Sequence, residues 1–182
     1  MEYVIRKATL DDRAAIEGLI AASARGLSYE DYSEAQVEAA IESVFGVDTE
    51  LVRDGTYFVA DAGGLLVGCG GWSKRRTLFG GDRYGARDSG ELDPKIDAAK
   101  IRAFFVHPDW ARKGIGRAIL ERCEAEAAGY GFRTLELMAT LPGIKLYAAH
   151  GYAAGERVEY ELEGGVRIEF VKMRKDLTPI SK

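Results

Sequence analysis

The densest run of chemistry-bearing residues is Phe104 to Arg117, which reads Phe-Phe-Val-His-Pro-Asp-Trp-Ala-Arg-Lys-Gly-Ile-Gly-Arg. An apolar stretch that reads as a strand feeds a basic, glycine-containing turn, and a helical pattern follows. Gly114 and Gly116 leave the backbone uncovered, so several N–H groups can face outward together, where the helix dipole already favours an anion. Arg112, Lys113 and Arg117 add positive charge beside them. The ligand this describes is a phosphate or pyrophosphate. Two familiar phosphate sites fail on single residues. A P-loop needs Lys-Ser or Lys-Thr after its second glycine, where Arg117-Ala118 stands, and a dinucleotide fingerprint needs a third glycine where Ile119 stands.

The elements that must position this turn follow from periodicity. Tyr3 to Arg6 alternates like a short strand, and Thr9 with Asp12 has the spacing of a helix start, for a helix to about Arg25 that Gly26 is placed to stop. Ser33 and Gln36 open a second helix with Val37, Ile41, Val44 and Phe45 on one face, ended by Gly46. Thr56–Ala60 and Leu65–Trp72 form a hairpin through Gly63-Gly64. Lys74 to Asp97 has no apolar periodicity and reads as a long loop insert, either a solvated segment or a lid or subunit contact. A buried strand Ala99–Val106, a helix Gly114–Ala128, a strand Thr134–Thr140, a short helix from about Pro142 to His150, and a closing hairpin of Tyr152–Glu161 and Val166–Arg174 complete the order. This is an α/β arrangement of a mixed sheet with covering helices.

The chain has 182 residues, 25 Lys plus Arg against 29 Asp plus Glu, and 47% hydrophobic residues, as expected of one globular domain spanning residues 1–182. Two Cys and two His cannot supply a four-ligand Cys/His zinc site, so no metal is expected. The formal net charge of −4 argues against nucleic acid as a partner, and it averages a positive turn with an acidic remainder that would suit a cationic partner. The charged N-terminus and the lack of a long apolar run lead to the expectation of a cytoplasmic protein with no membrane partner.

With these residues on the page, the sequence resembles the GNAT superfamily of acyl-CoA-dependent N-acyltransferases along essentially its whole length. The family turn reads Arg or Gln, two residues, Gly, one residue, Gly or Ala. Ala111–Gly116 keeps both glycines, but Ala111 stands in place of the leading Arg or Gln. A second family stretch, Asn, six residues, Tyr, three residues, Gly-Phe, corresponds to Thr140, Tyr147 and Gly151-Tyr152, with Thr140 for the Asn and Tyr152 for the Phe. The resemblance implies an α+β fold whose mixed, mostly antiparallel sheet is splayed and flanked by about four helices. It implies that acetyl-CoA is the cosubstrate, bound by Phe105, Val106, Arg112, Lys113, Gly114, Ile115, Gly116, Arg117 and Thr140. Phe105-Val106 would pair with the pantetheine amides like an added strand, and a backbone N–H near Val106 would hold the oxyanion. Tyr147 would serve as general acid toward the departing sulfur. The function implied is N-acetyl transfer to a primary amine by direct attack in a ternary complex, and a homodimer is also implied. A non-catalytic acyl-CoA sensor or interaction module is the alternative.

The amine must lose a proton before it attacks. Glu136, on the strand before the site, and His107, at the end of another, are the candidate bases. His150 reads as structural, and Cys69 and Cys123 read as small buried thiols.

Overall fold

The computed structural model describes residues 2–85 and 87–177; Met1, Ala86 and residues 178–182 lie outside the described residues. Seven strands make one sheet: β1 (Val4–Lys7), β2 (Tyr57–Ala62), β3 (Leu65–Ser73), β4 (Ala99–Val106), β5 (Thr134–Thr140), β6 (Ala153–Glu161) and β7 (Arg167–Asp176). Their spatial order is β1-β2-β3-β4-β5-β7-β6. Every neighbouring pair is antiparallel except β4–β5. That parallel pair makes only two register contacts, Ala99 with Leu135 and Lys100 with Glu136, after which the strands part. The sheet therefore splays open along the second half of β4.

Five helices cover the faces: α1 (Arg13–Leu27), α2 (Glu34–Ser43), α3 (Thr49–Asp54), α4 (Ile115–Tyr130) and α5 (Ile144–Ala149). Alternate residues of the central strands go to opposite cores. Tyr57 and Val59 pack with α1 and α2, whereas Phe58 and Ala60 join Ile115, Ile119 and Cys123 of α4. Because both faces are covered, β2 and β3 read as continuous apolar runs. α4 sits close on the sheet because β3 carries Gly68 under it; a side chain there would come within 2.4 Å of Ile115 Cγ2.

Three expectations change. Gly26 does not stop α1, which runs on to Leu27; its bareness instead admits Pro108, which would lie 2.4 Å from an added Cβ. α3 is an additional helix, too short for periodicity but marked at both ends by Asp48, whose carboxylate accepts from the Leu51 N–H, and by Gly55 at φ +73°. The long loop is irregular as expected, but its arginines do not spend their charge within it. Arg75 forks onto Asp54 at 2.8 and 2.9 Å. Arg83 reaches Glu17 and the carbonyls of Ile41 and Phe45, and Arg87 reaches Asp48 and the Gly80 carbonyl. Chain charge thus fastens residues 74–97 onto α1, α2 and α3.

Candidate active site

Beyond the two-residue β4–β5 pairing lies a cleft of about 780 Å³. Its walls are the edge of β4, the turn into α4, the loop after α1, and the start of α5. β4 is re-aimed here by a bulge. Ala103 takes φ +58°, and the pairing with β3 slips between Cys69 and Gly71. A non-glycine residue in that region is uncommon, and bulges of this kind redirect side chains. Phe104 accordingly goes toward α5, where its ring meets Tyr147 edge-on at 6.2 Å, and Phe105 goes to the other face, against Phe45 at 5.4 Å.

The turn into α4 is built for an anion. Arg112 lies at φ +61° and Gly114 at φ +83°, and no side chain caps the helix. Left-handed residues in this sequence turn consecutive N–H groups to one side, and the first-turn donors of α4 keep no intrahelical acceptor. Arg112 and Arg117 line the same cleft, and so does Lys145 from α5. Arg117 is exposed and shares its charge with Glu121 at 2.8 Å.

Tyr147 stands at the inner end. Its ring is buried between Phe104 and Tyr152, and among the described residues its hydroxyl has no hydrogen-bond partner. Burial pushes its phenol well above the ordinary tyrosine value of 10.0. The neighbouring exit of β5 is pinned by Tyr32, whose hydroxyl accepts from the Leu141 N–H at 2.9 Å and donates to the Glu169 carbonyl at 2.6 Å.

The cleft brings together Phe105, Val106, Arg112, Gly114, Ile115, Gly116, Arg117, Thr140 and Tyr147 from the sequence-based set. Lys113 is not on its wall; its ammonium lies over the Trp110 ring at 5.3 Å. Glu136 is not there either. Its carboxylate is buried against Lys100 and has Lys172 and Arg174 at 3.8 Å each, so its charge is already committed to three cations. His107, one residue past β4, is not on the cleft wall either, and its Nδ1 accepts from the Asp109 N–H. The Val106 N–H, the expected oxyanion donor, is held by Ser23 Oγ at 3.2 Å. His150 Nδ1 bonds the Leu146 carbonyl within its own helix turn.

Several wall residues lie outside the sequence-based set, Ser23 and Lys145 among them. Ser23 is a hydroxyl on the buried face of α1, flanked at helical spacing by Leu19, Ile20 and Ala24. A polar residue in an apolar stripe was the available signal. Lys145 lies in the first turn of α5, where a cation opposes the dipole and so calls for a reason. Among the described residues, no group of three or more His, Cys, Asp or Glu is arranged to hold a metal ion, and no helix is long and apolar enough to cross a membrane.

Residues 53–154 match the family model described as acetyltransferase (GNAT) domain. Among curated protein sequences none matches significantly. Solved structures share the architecture over nearly the full length. A GCN5-related N-acetyltransferase from Rhodopseudomonas palustris aligns with a TM-score of 0.71 at 23% identity, covering 97% of each chain. The PaiA N-acetyltransferase of Thermoplasma acidophilum, solved with coenzyme A, aligns at 0.65 and 16% identity over 97% of this chain and 99% of its own. Salmonella typhimurium yncA, solved with its cofactor acetyl-CoA, aligns at 0.63 and 18% identity over 100% and 98%. At these identities the likeness speaks to the fold.

Proposed function

Because this chain belongs to the acetyltransferase (GNAT) family of acyltransferases, we propose that it binds acetyl-CoA along the β4–β5 cleft and transfers the acetyl group to a primary amine by direct attack. The observation that carries this reading is the convergence on one cleft of Tyr147, Thr140, the β4 edge and the uncapped start of α4. That two similar structures hold coenzyme A or acetyl-CoA supports the choice of cosubstrate.

The parts divide the substrate among them. The open N–H groups of Ile115, Gly116 and Arg117, with Arg112, Arg117 and Lys145 around them, suit the pyrophosphate. The β4 edge at Phe105-Val106 suits the pantetheine amides, which would compete with Ser23 for the Val106 N–H. The thioester then lies toward Phe104 and Tyr147. In the reaction the amine nitrogen attacks the thioester carbonyl carbon, a C–N bond forms, and the C–S bond breaks. The nitrogen gives up its proton to water, and the departing sulfur takes one back from water to leave as the coenzyme A thiol.

Tyr147 offers the sulfur a hydrogen bond. With its phenol raised above 10.0 by burial, full proton transfer to a thiolate of pKa near ~8.5 is uphill, so its contribution is stabilisation of developing charge. Proximity supplies most of the remaining acceleration, since the thioester is already activated.

Calorimetry with acetyl-CoA tests this reading, with micromolar binding expected. Gly114→Glu forces a side chain at φ +83° and a carboxylate into the anion site, so binding should weaken about tenfold or more, roughly 1.4 kcal/mol. No binding at tens of micromolar, or an unaffected variant, overturns it.

A further inference from the structure

The cleft continues, away from the anion turn, into a smaller chamber of about 70 Å³ that shares Phe45, Phe104, Phe105, Thr140 and Tyr147 with it. Six aromatic side chains supply part of its lining. The Phe105 ring meets Phe45 at 5.4 Å, Phe45 meets Phe170 at 6.3 Å, and Phe170 meets Phe79 at 5.7 Å, in one continuous chain of rings. Among the described residues no Asp, Glu or His lines it, and Arg102 is its one charged side chain. That charge is balanced from behind, and only its buried Nε–H has no hydrogen-bond partner among the described residues. The Arg102 guanidinium is buried against Asp48 and reaches Glu50, and Arg87 also sits on Asp48, so two cations stand against two carboxylates.

A second charge on an acceptor would lose its water here and find no free counter-charge. We propose that this chamber is the acceptor subsite and that the acceptor is a primary amine whose other end is a small, uncharged, apolar group, aromatic or branched aliphatic. This inference rests on the acetyl-transfer reading and replaces the cationic acceptor that the net charge suggested. The chamber wall is held in place. The Gly81 N–H donates to the Val44 carbonyl at 2.8 Å, the Asp82 N–H to the Val47 carbonyl at 3.0 Å, and Arg87 to the Gly80 carbonyl at 2.6 Å. Phe79 is thereby set against Phe170, and residues 78–81 become the specificity-determining wall. With Arg102 beside it and no carboxylate in its lining to balance an ammonium, the chamber favours the free amine, so the acceptor sheds its proton on entry without a carboxylate or imidazole base there.

The test uses the full chain, acetyl-CoA and a panel of primary amines, with thiol release as the readout. Phenethylamine and isoamylamine should exceed spermidine and glutamate in kcat/KM by about tenfold or more. Phe79→Ala should cut that preference while leaving acetyl-CoA affinity unchanged, since Phe79 lines the chamber and not the cofactor cleft; Phe79→Leu, which keeps the bulk, should retain most of it. Preference for spermidine or glutamate, or a Phe79→Ala variant with unaltered selectivity, overturns the inference while acetyl-CoA binding stands. Absence of acetyl-CoA binding overturns both readings.

Discussion

A phenol is a poor acid, and Tyr147 is a poorer one than most because desolvation raises it further. Its pH behaviour is therefore one-sided. The rate should climb with pH as the acceptor ammonium loses its proton and should show no falling limb from Tyr147 up to pH ~10. Tyr147→Phe should lower kcat about 100-fold while acetyl-CoA affinity is preserved, as read by steady-state kinetics beside calorimetry. Ser23 makes an opposite kind of prediction. Its Oγ occupies the Val106 N–H that a strand-like ligand would use. Ser23→Ala removes that competitor, so acetyl-CoA should bind a few-fold more tightly, within the roughly 0.5–1.5 kcal/mol of one hydrogen bond; weaker binding would show that the serine itself contacts the ligand. Tyr147 and the glycine turn were legible because their signals are local. Ser23 was not, because nothing within α1 states which strand edge its buried face meets.

At the scale of elements, three short pieces are joined by charge. Asp48 caps α3, receives Arg102 from β4 and receives Arg87 from the 74–97 segment, and it is fully buried. Asp48→Ala leaves two guanidinium groups to share Glu50 alone and should cost about 3–5 kcal/mol in urea unfolding. In the folded fraction it should raise the acceptor KM without moving the acetyl-CoA affinity, because the segment it fastens walls the chamber and not the cofactor turn. The same charges tie the segment down: Arg75, Arg83 and Arg87 pair with Asp54, Glu17 and Asp48, outside the loop itself. Those partners are distant in sequence, and composition alone gives no preference between near and far.

For the molecule as a whole, two cores on the faces of one splayed sheet leave a cleft where the faces cannot close. One ion pair at the first strand lends the fold an acid sensitivity whose sign is fixed. Arg6, with the Thr9 N–H, holds Asp12 down from 3.8 to about 2. A depressed carboxylate stabilises the fold above its unfolded value and loses that contribution as pH falls through the folded one. Arg6→Ala should therefore be less stable than the parent at pH 7, and by pH 3 urea melts should show about half that gap.

Local patterns carried most of the architecture. The apolar runs of β2 and β3, the Ser33–Gln36 capping box, the span of β5 and the Gly114–Gly116 turn depend on neighbours within a few residues, and such preferences act in any context the chain meets. The acceptor chamber is of another kind. Phe45, Phe79, Phe105, Met138 and Phe170 come from five separate stretches and acquire a common purpose only when β4 and β5 part and residues 74–97 are drawn over the gap. The commitment of Glu136 to Lys100, Lys172 and Arg174 arises the same way, across three strands. Whether a carboxylate is a base or half of a salt bridge depends on what faces it, and side chains far apart in the chain come face to face only through packing.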